Sequence, residues 1–482
     1  MRRGAGQRRW TRGPGTRDWG QRTRDEGRGT RDLQRILLFC ARIVTWLFYR
    51  VDGVGAAPAT GPVLLLPNHP NALLDPAVVW ACAGRDVRFL AKSTLFRTAF
   101  RPFLTGAGAI PVYRPVDPGV DPSRNNEMFA AVAAALAAGE AVCLFPEGTS
   151  HSSGRLEPLR TGAARIALSA QAAGVAVSLV PVGLNFDRKT AFRSRAIVVF
   201  GQPFGCADLV AAWREDPASG VRALTDRIAR SMRLLLVEAD PDADAAMVKR
   251  VDRLYAAARG VSRDPAERVA RRRVIAKGIE RLRAADPARY EAAALELRRY
   301  DQRLRRFGIR DRHLDWDVST GAAARFIARE LLLALVLGPL AIAGLVLFAA
   351  PYYATDAFTR RFGRIPDVHA TAKLFVGALC YVIWLLMLGA AMWWAAGANA
   401  ALAGLALLPL VAVLSLFAIE RETAVFDAAR AWLVLRGVGD RTRARLLRQR
   451  SEMAALLDDI YRWITEAKTS ETPAPSAART PC

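Results

Sequence analysis

This chain of 482 residues is poor in the side chains that hold metals or form cross-links. It has four histidines, His69, His151, His313 and His369, and six cysteines, Cys40, Cys82, Cys143, Cys206, Cys380 and Cys482, each standing alone with no CxxC pair. That scatter excludes a zinc ribbon and a small disulfide-stapled scaffold, so a reduced protein with no metal and no cofactor is expected. A GxSxG elbow is also missing, and none of the lone cysteines stands in a strand-end loop where a nucleophile is expected. The first thirty or so residues are polar, rich in Arg and Gly, and contain no apolar run of the kind a cleavable signal needs. A catalytic part is therefore expected on the cytoplasmic side. Lysine is scarce too, with six among 69 basic residues. So strong an Arg bias reflects GC-rich coding as readily as guanidinium chemistry, and only the net charge is informative.

That net charge is +24, with a pI near 10.8, which favours a polyanionic partner: nucleic acid or an anionic lipid surface. Its distribution is uneven. Residues 1–32 hold ten Arg against four acids, and residues 249–312 hold twenty Lys+Arg against nine acids. The first stretch repeats Thr-Arg-Asp at Thr16, Thr23 and Thr30 in a Gly/Arg background, too polar to offset its ordering entropy, and is expected to be a disordered basic tail. No RRM, KH or zinc signature supports nucleic-acid binding, so no nucleic acid is expected, although a nucleic-acid- or lipid-binding membrane protein without catalysis is the reading from another class.

Further along, residues 33–51 form an apolar run interrupted by Arg35, Arg42 and Arg50, suited to an interfacial helix or to an amphipathic helix packed on the next domain. Residues 52–205 alternate short apolar strands with helical stretches. Expected strands are 63–66, 87–91, 109–112, 141–145, 178–182 and 196–200, with helices at 124–139 and 159–173, an α/β pattern with a largely parallel sheet. Residues 206–325 read as a basic helical extension, interrupted near Ala285–Pro287. In the block 326–420, residues 331–350 and 374–419 carry no charge at all, enough for two or three membrane helices with a turn near Ala396–Asn399. Residues 421–482 are expected to hold a cytosolic amphipathic helix and a disordered end. An integral membrane protein with a cytoplasmic catalytic domain follows.

The chemistry is concentrated at strand ends. His69 follows the strand 63–66 in Asn68-His69-Pro70-Asn71-Ala72-Leu73-Leu74-Asp75-Pro76. A loop between strand and helix lets the imidazole and carboxylate meet, whereas six residues along one straight helix would place them about 120° apart. A carboxylate beside an imidazole fixes its tautomer and raises its basicity. Asp75 is expected as the N-cap of a helix that starts at Pro76. A second strand ends in Phe145-Pro146-Glu147-Gly148-Thr149-Ser150-His151, a third delivers Arg114 after Gly108-Ala109-Ile110-Pro111-Val112-Tyr113, and a fourth reads Val180-Pro181-Val182-Gly183. Functional groups of open α/β sheets gather at such carboxyl ends.

These four blocks, in this order, resemble the glycerolipid acyltransferase superfamily of glycerol-3-phosphate and lysophosphatidate acyltransferases, with its NHx4D, GxxxxxR, FPEG and VPV motifs. The run Asn68–Pro76, the run Phe145–Leu168 and the sequence YDQRLRRFGIRDRHLD before the apolar block are closest in form to fungal-type glycerol-3-phosphate/dihydroxyacetone-phosphate acyltransferases and their bacterial relatives. The resemblance implies an enzyme of phospholipid biosynthesis that passes a fatty acyl group from acyl-CoA or acyl-ACP to glycerol-3-phosphate, or alternatively to lysophosphatidate. His69 is then the general base and Asp75 its orienting partner, with Asn68, Arg114, Glu147, Gly148, Thr149 and Arg160 at the substrates, and loop N–H groups near Asn68 or Gly148 at the oxyanion. Lys92 and the basic face of 249–312 would meet headgroups or CoA phosphates, or form a solvated face; His151 reads as part of a polar loop. Two departures stand out: five residues separate His69 from Asp75 where the pattern has four, and Ser150 occupies a position where many relatives have Arg, which shifts attention to Arg160. The acceptor, the donor and its chain length, the number of spans and the oligomeric state are not legible.

Overall fold

The computed structural model describes residues 18–470 apart from residues 73, 99–100, 115–116, 118, 240–243, 263, 317–319 and 363–368. The sheet-bearing part runs α1 (Asp18–Phe48), β1 (Tyr49–Val54), β2 (Val63–Pro67), α2 (Leu74–Cys82), β3 (Val87–Lys92), α3 (Arg101–Gly106), β4 (Ile110–Val112), α4 (Asn125–Ala137), β5 (Ala141–Cys143), α5 (Gly162–Ala172), β6 (Ser178–Phe186) and β7 (Ser194–Phe200). The strands form one sheet in the order β1-β7-β6-β2-β5-β3-β4. Every strand pairing among the described residues is parallel except β6 with β7.

Strand β2 shows why the sheet forms where it does. All five of its residues are buried, because neighbouring strands flank it and helices cover both faces. Val63 and Leu65 join the cluster that holds Ala41 of α1 and Val78 and Val79 of α2. Leu64 and Leu66 point the other way, into Val132 and Leu136 of α4 and Ile166 of α5. A strand buried on both faces reads as a continuous apolar run, as this one does. Each such side chain contributes roughly 1.5–3 kcal/mol relative to exposure, so a polar residue in either layer would be costly. Because β2, β3, β4, β5 and β6 run the same way, the loops leaving their carboxyl ends open along one edge.

Two early elements differ from the sequence reading. Helix α1 already begins at Asp18 and so takes in residues 18–32, which were read as tail; residues 1–17 lie outside the described residues. It also stops at Phe48, and Tyr49–Val54 turn into a strand paired along β7, where Tyr49 is fully buried. That pairing with a strand about 145 residues away overrides the local helical pattern, which is blind to it. Within the sheet, β5 ends at Cys143 and β6 continues to Phe186.

Beyond the sheet come α6 (Val210–Glu215), α7 (Pro217–Arg233), α8 (Ala245–Arg259), α9 (Pro265–Ala285) and α10 (Pro287–Phe307). The break foreseen near Ala285–Pro287 is real: Asp286 caps α10 by accepting from the Arg289 N–H at 2.9 Å, with Pro287 in the first turn. Then follow α11 (Thr320–Phe362), α12 (His369–Val438) and α13 (Asp440–Ser470). Leu337–Arg361 and Lys373–Gly437 are long and apolar enough to cross a membrane. Helix α12 is broken at Gly397 (φ 82°, ψ 175°), inside the expected turn. Gly389 faces Leu405 and Gly404 faces Met392, so its two halves fold back on each other. Against them lies α11, held by Ser415 Oγ donating to Leu340 O (2.9 Å) and Trp384 Nε1 donating to Leu347 O (2.7 Å). Helix α13 packs with α8 and α10 and the end of α12 through Leu254, Leu304, Leu435 and Met453.

Candidate active site

His69 leaves the carboxyl end of β2 in a loop that ends at α2. Its Nδ1 lies 2.9 Å from Asp75 Oδ2, so the loop brings the two together despite the extra residue between them. Within this loop Ala72 has a φ of +44°, a left-handed conformation uncommon outside glycine and Asn. Helix α2 starts at Leu74, two residues earlier than expected, so Asp75 sits in its first turn and is not the N-cap. The carboxylate turns back into the loop instead, accepting from the Asn71 N–H at 2.6 Å as well as facing the imidazole. Asp75 is completely buried. Burial pushes its carboxyl above the ordinary range, while His69, the Asn71 N–H and the Lys189 charge pull the other way.

The loop after β5 closes the other side of the imidazole. Phe145 stacks on it with ring centroids 4.0 Å apart, and Glu147 Oε1 accepts the His69 N–H at 2.9 Å. Glu147 is buried and its other oxygen pairs with His151 Nε2, while the His151 N–H donates to His69 O at 3.1 Å. Burial raises the Glu147 carboxyl to about 7, against the bond from His69. Gly148 has φ +75°, a turn that glycine adopts freely, and a Cβ there would crowd the Arg160 side chain. Its N–H donates to Phe145 O at 3.0 Å, and the His69 N–H is likewise spent on Glu147, so neither is free to meet an oxyanion in this arrangement. Gly148 and Thr149 are exposed at the rim; Arg160 is exposed too, tied through its N–H to Pro146 O at 2.7 Å.

Asn68 has a structural part in the site. Its Nδ2 donates to Leu184 O (3.2 Å) and its Oδ1 accepts the Leu184 N–H (2.7 Å), so the amide extends the β2–β6 ladder past the end of β2. These two bonds fix the start of the His69 loop. The order of the sheet decides this, since Leu184 is 116 residues away.

A cationic region flanks these loops on the β3–β4 side. Arg114 grips Asp117 with two bonds, Nε to Oδ2 at 3.1 Å and Nη2 to Oδ1 at 2.9 Å, and donates from Nη1 to Gly148 O at 3.0 Å. Lys92, the last residue of β3, places Nζ 3.0 Å from Asp117 Oδ1. The Arg114 and Lys92 contacts hold the Asp117 carboxyl below the ordinary range. From the β6–β7 loop, Lys189 donates to Pro70 O at 3.0 Å and pairs with Ser152 Oγ. Its carbonyl takes up the Tyr49 hydroxyl, which also contacts the Asn71 amide. Asp117, Lys189, Tyr49 and Asn71 escaped the sequence reading. Only Lys92 and His151 had a visible signal, one ending a strand and the other four residues past Glu147.

Residues 49–185 match the family model described as Acyltransferase. That segment is an acyltransferase domain. It is similar to glycerol-3-phosphate O-acyltransferase 1 of Saccharomyces cerevisiae, 27% identical over 276 residues, which make up 52% of this chain and 36% of the yeast protein. Glycerol-3-phosphate O-acyltransferase 2 of the same yeast is 35% identical over 135 residues, 27% of this chain and 18% of that one. The chain thus spans about a third or less of the curated relatives' length. The resemblance to the glycerolipid acyltransferase superfamily, and to its fungal-type members, is borne out. A solved structure, the 1-acyl-sn-glycerophosphate (LPA) acyltransferase PlsC from Thermotoga maritima, is 19% identical with a TM-score of 0.31, covering 42% of this chain and 83% of that chain. A likeness of that size carries no argument.

Proposed function

We propose that the acyltransferase domain transfers a fatty acyl group from acyl-CoA or acyl-ACP to glycerol-3-phosphate at the cytosolic face of a membrane. The observation that carries this reading is the 2.9 Å contact between His69 Nδ1 and Asp75 Oδ2, on a strand-end loop beside the cations Lys92 and Arg114. With Asp75 ionised, Nδ1–H donates to it and the lone pair is left on Nε2. Nε2 takes the proton of the glycerol hydroxyl as that oxygen attacks the thioester carbonyl. The C–O bond forms, the C–S bond breaks, and the departing thiolate receives the proton from His69. No enzyme nucleophile is needed. Lys92 and Arg114 suit the acceptor's phosphate, since a guanidinium binds phosphate oxygens in pairs. Glu147 braces the His69 backbone, and Gly148, Thr149 and Arg160 line the exposed rim where a substrate enters.

The apolar α11 and the α12 hairpin support a bilayer setting for this chemistry, because donor chain and product are both lipids. Large apolar side chains such as Leu335, Val346, Leu386, Trp394 and Leu402 point outward from these helices. The deciding experiment supplies membranes containing the full chain with acyl-CoA and, separately, glycerol-3-phosphate or lysophosphatidate. Turnover of glycerol-3-phosphate is expected; turnover of lysophosphatidate alone overturns the acceptor assignment. Removal of residues 1–32 should leave turnover near normal, whereas a function built on the basic tail would be lost.

A further inference from the structure

The two cations suited to the acceptor phosphate already hold an anion. Asp117 is only 5% exposed and lies between them, bonded twice by the Arg114 fork and once by Lys92 Nζ. Two carboxylate oxygens in a guanidinium fork occupy the donors that two phosphate oxygens would use. A phosphate reaching both cations must therefore take the place of this carboxylate. Arg114 would keep its aim during such an exchange, because its third contact, from Nη1 to Gly148 O at 3.0 Å, ties it to the Glu147 loop independently of Asp117.

We infer that Asp117 is an internal counter-anion that fills the phosphate position between Lys92 and Arg114 and yields it only to a ligand of higher charge. The inference rests on the proposed reading of those cations as the acceptor site, and it gives that site a selectivity. A monoanionic carboxylate exchanging for Asp117 gains no Coulomb energy, since one charge replaces another. A phosphate dianion does gain, so phosphorylated acceptors are preferred over free carboxylates. Asp117 also supplies the counter-charge that two half-buried cations would otherwise lack in the resting site, and raises the acceptor concentration needed for turnover.

The test uses the full chain in lipid nanodiscs, with inorganic phosphate and acetate as probes. In D117N the carboxylate is replaced by an amide of the same shape. Phosphate should bind about tenfold more tightly than to the wild type, the acceptor KM should fall by a similar factor, and acetate should become a measurable competitor. An unchanged or weaker phosphate affinity in folded D117N overturns the inference and leaves Asp117 as a residue that merely positions Arg114. Should D117N not fold, the wild type decides: phosphate must compete with the acceptor at least tenfold better than acetate, and equal competition overturns the inference. Because phosphate binding is read without turnover, a failure of acyl transfer to every acceptor would count against the proposed function and not against this exchange.

Discussion

On the β2–β5 side of the sheet edge, Asp75 is fully enclosed, faces one imidazole and one backbone N–H, and has its carboxyl raised by burial. On the β3–β4 side, Asp117 is almost as enclosed, yet a guanidinium and an ammonium hold its carboxyl down. The same residue type, placed beyond the carboxyl ends of β2 and of β4, with β5 and β3 between them in the sheet, thus sits in two different electrostatic settings. Where burial dominates, the proton is contested, and the group can tune a base. Where opposite charge dominates, the carboxylate stays ionised across the physiological range and marks a place for anions. Glu147, raised to about 7, belongs with the first side, although its loop also reaches Arg114 through Gly148 O. On the proposed function, this edge divides into a proton-handling half and an anion-handling half, and substitutions should separate along that line.

The largest effect is expected at His69. H69A should lower kcat on the order of a thousandfold while the chain stays folded, as steady-state turnover with acyl-CoA would show. Full activity would remove the proton-handling half altogether. D75N should follow, with a loss on the order of a hundredfold, again in kcat, because an amide still fills the space but no longer stabilises the imidazolium. On the other half the signature changes. R114A should raise the acceptor KM roughly tenfold or more, the size of a lost charge-assisted pair, and leave kcat comparatively untouched. A kcat loss in R114A as large as that of D75N would mean that the two halves are not separate.

How far this division could be seen beforehand depends on where each residue sits. His69, Arg114 and Glu147 were legible because a parallel sheet must gather its strand ends, and Val63–Leu66 and Ala141–Cys143 announce themselves as buried strands. Asp75 was legible as a partner but not as a geometry, since its place in the first turn of α2 and its bond to the Asn71 N–H depend on a loop whose backbone turns left-handed at Ala72. Asp117 had no signal: it lies in a loop, and its significance comes from Lys92 on another strand. Lys189 and Tyr49 meet across 140 residues, and Asn68 reaches Leu184 across 116, distances at which no local pattern reports. The N-terminal elements were misjudged for the same reason, because β1 exists only by virtue of its pairing with β7. Near Gly397, by contrast, an uncharged run with a small-residue break suffices to mark the fold-back of α12.

The smallest effect, and the finest probe of the proton-handling half, is expected at Glu147. Its carboxyl is raised from 4.5 to about 7 by burial, so the folded state holds this proton more tightly than the unfolded chain does. The stability that this proton contributes is complete below about 4.5 and is lost as pH rises through about 7. E147Q carries a permanently neutral amide and has no such slope. Thermal unfolding of the nanodisc-held protein between pH 5 and pH 8 should therefore show the wild-type Tm falling relative to that of E147Q. The variant's kcat should drop only severalfold, since Glu147 meets His69 through the backbone N–H and not through the ring. Parallel Tm curves for the two proteins would mean that Glu147 is already ionised across this range. The His151 contact would then outweigh burial, and Glu147 would pass from the proton-handling half of the edge to the anion-handling one.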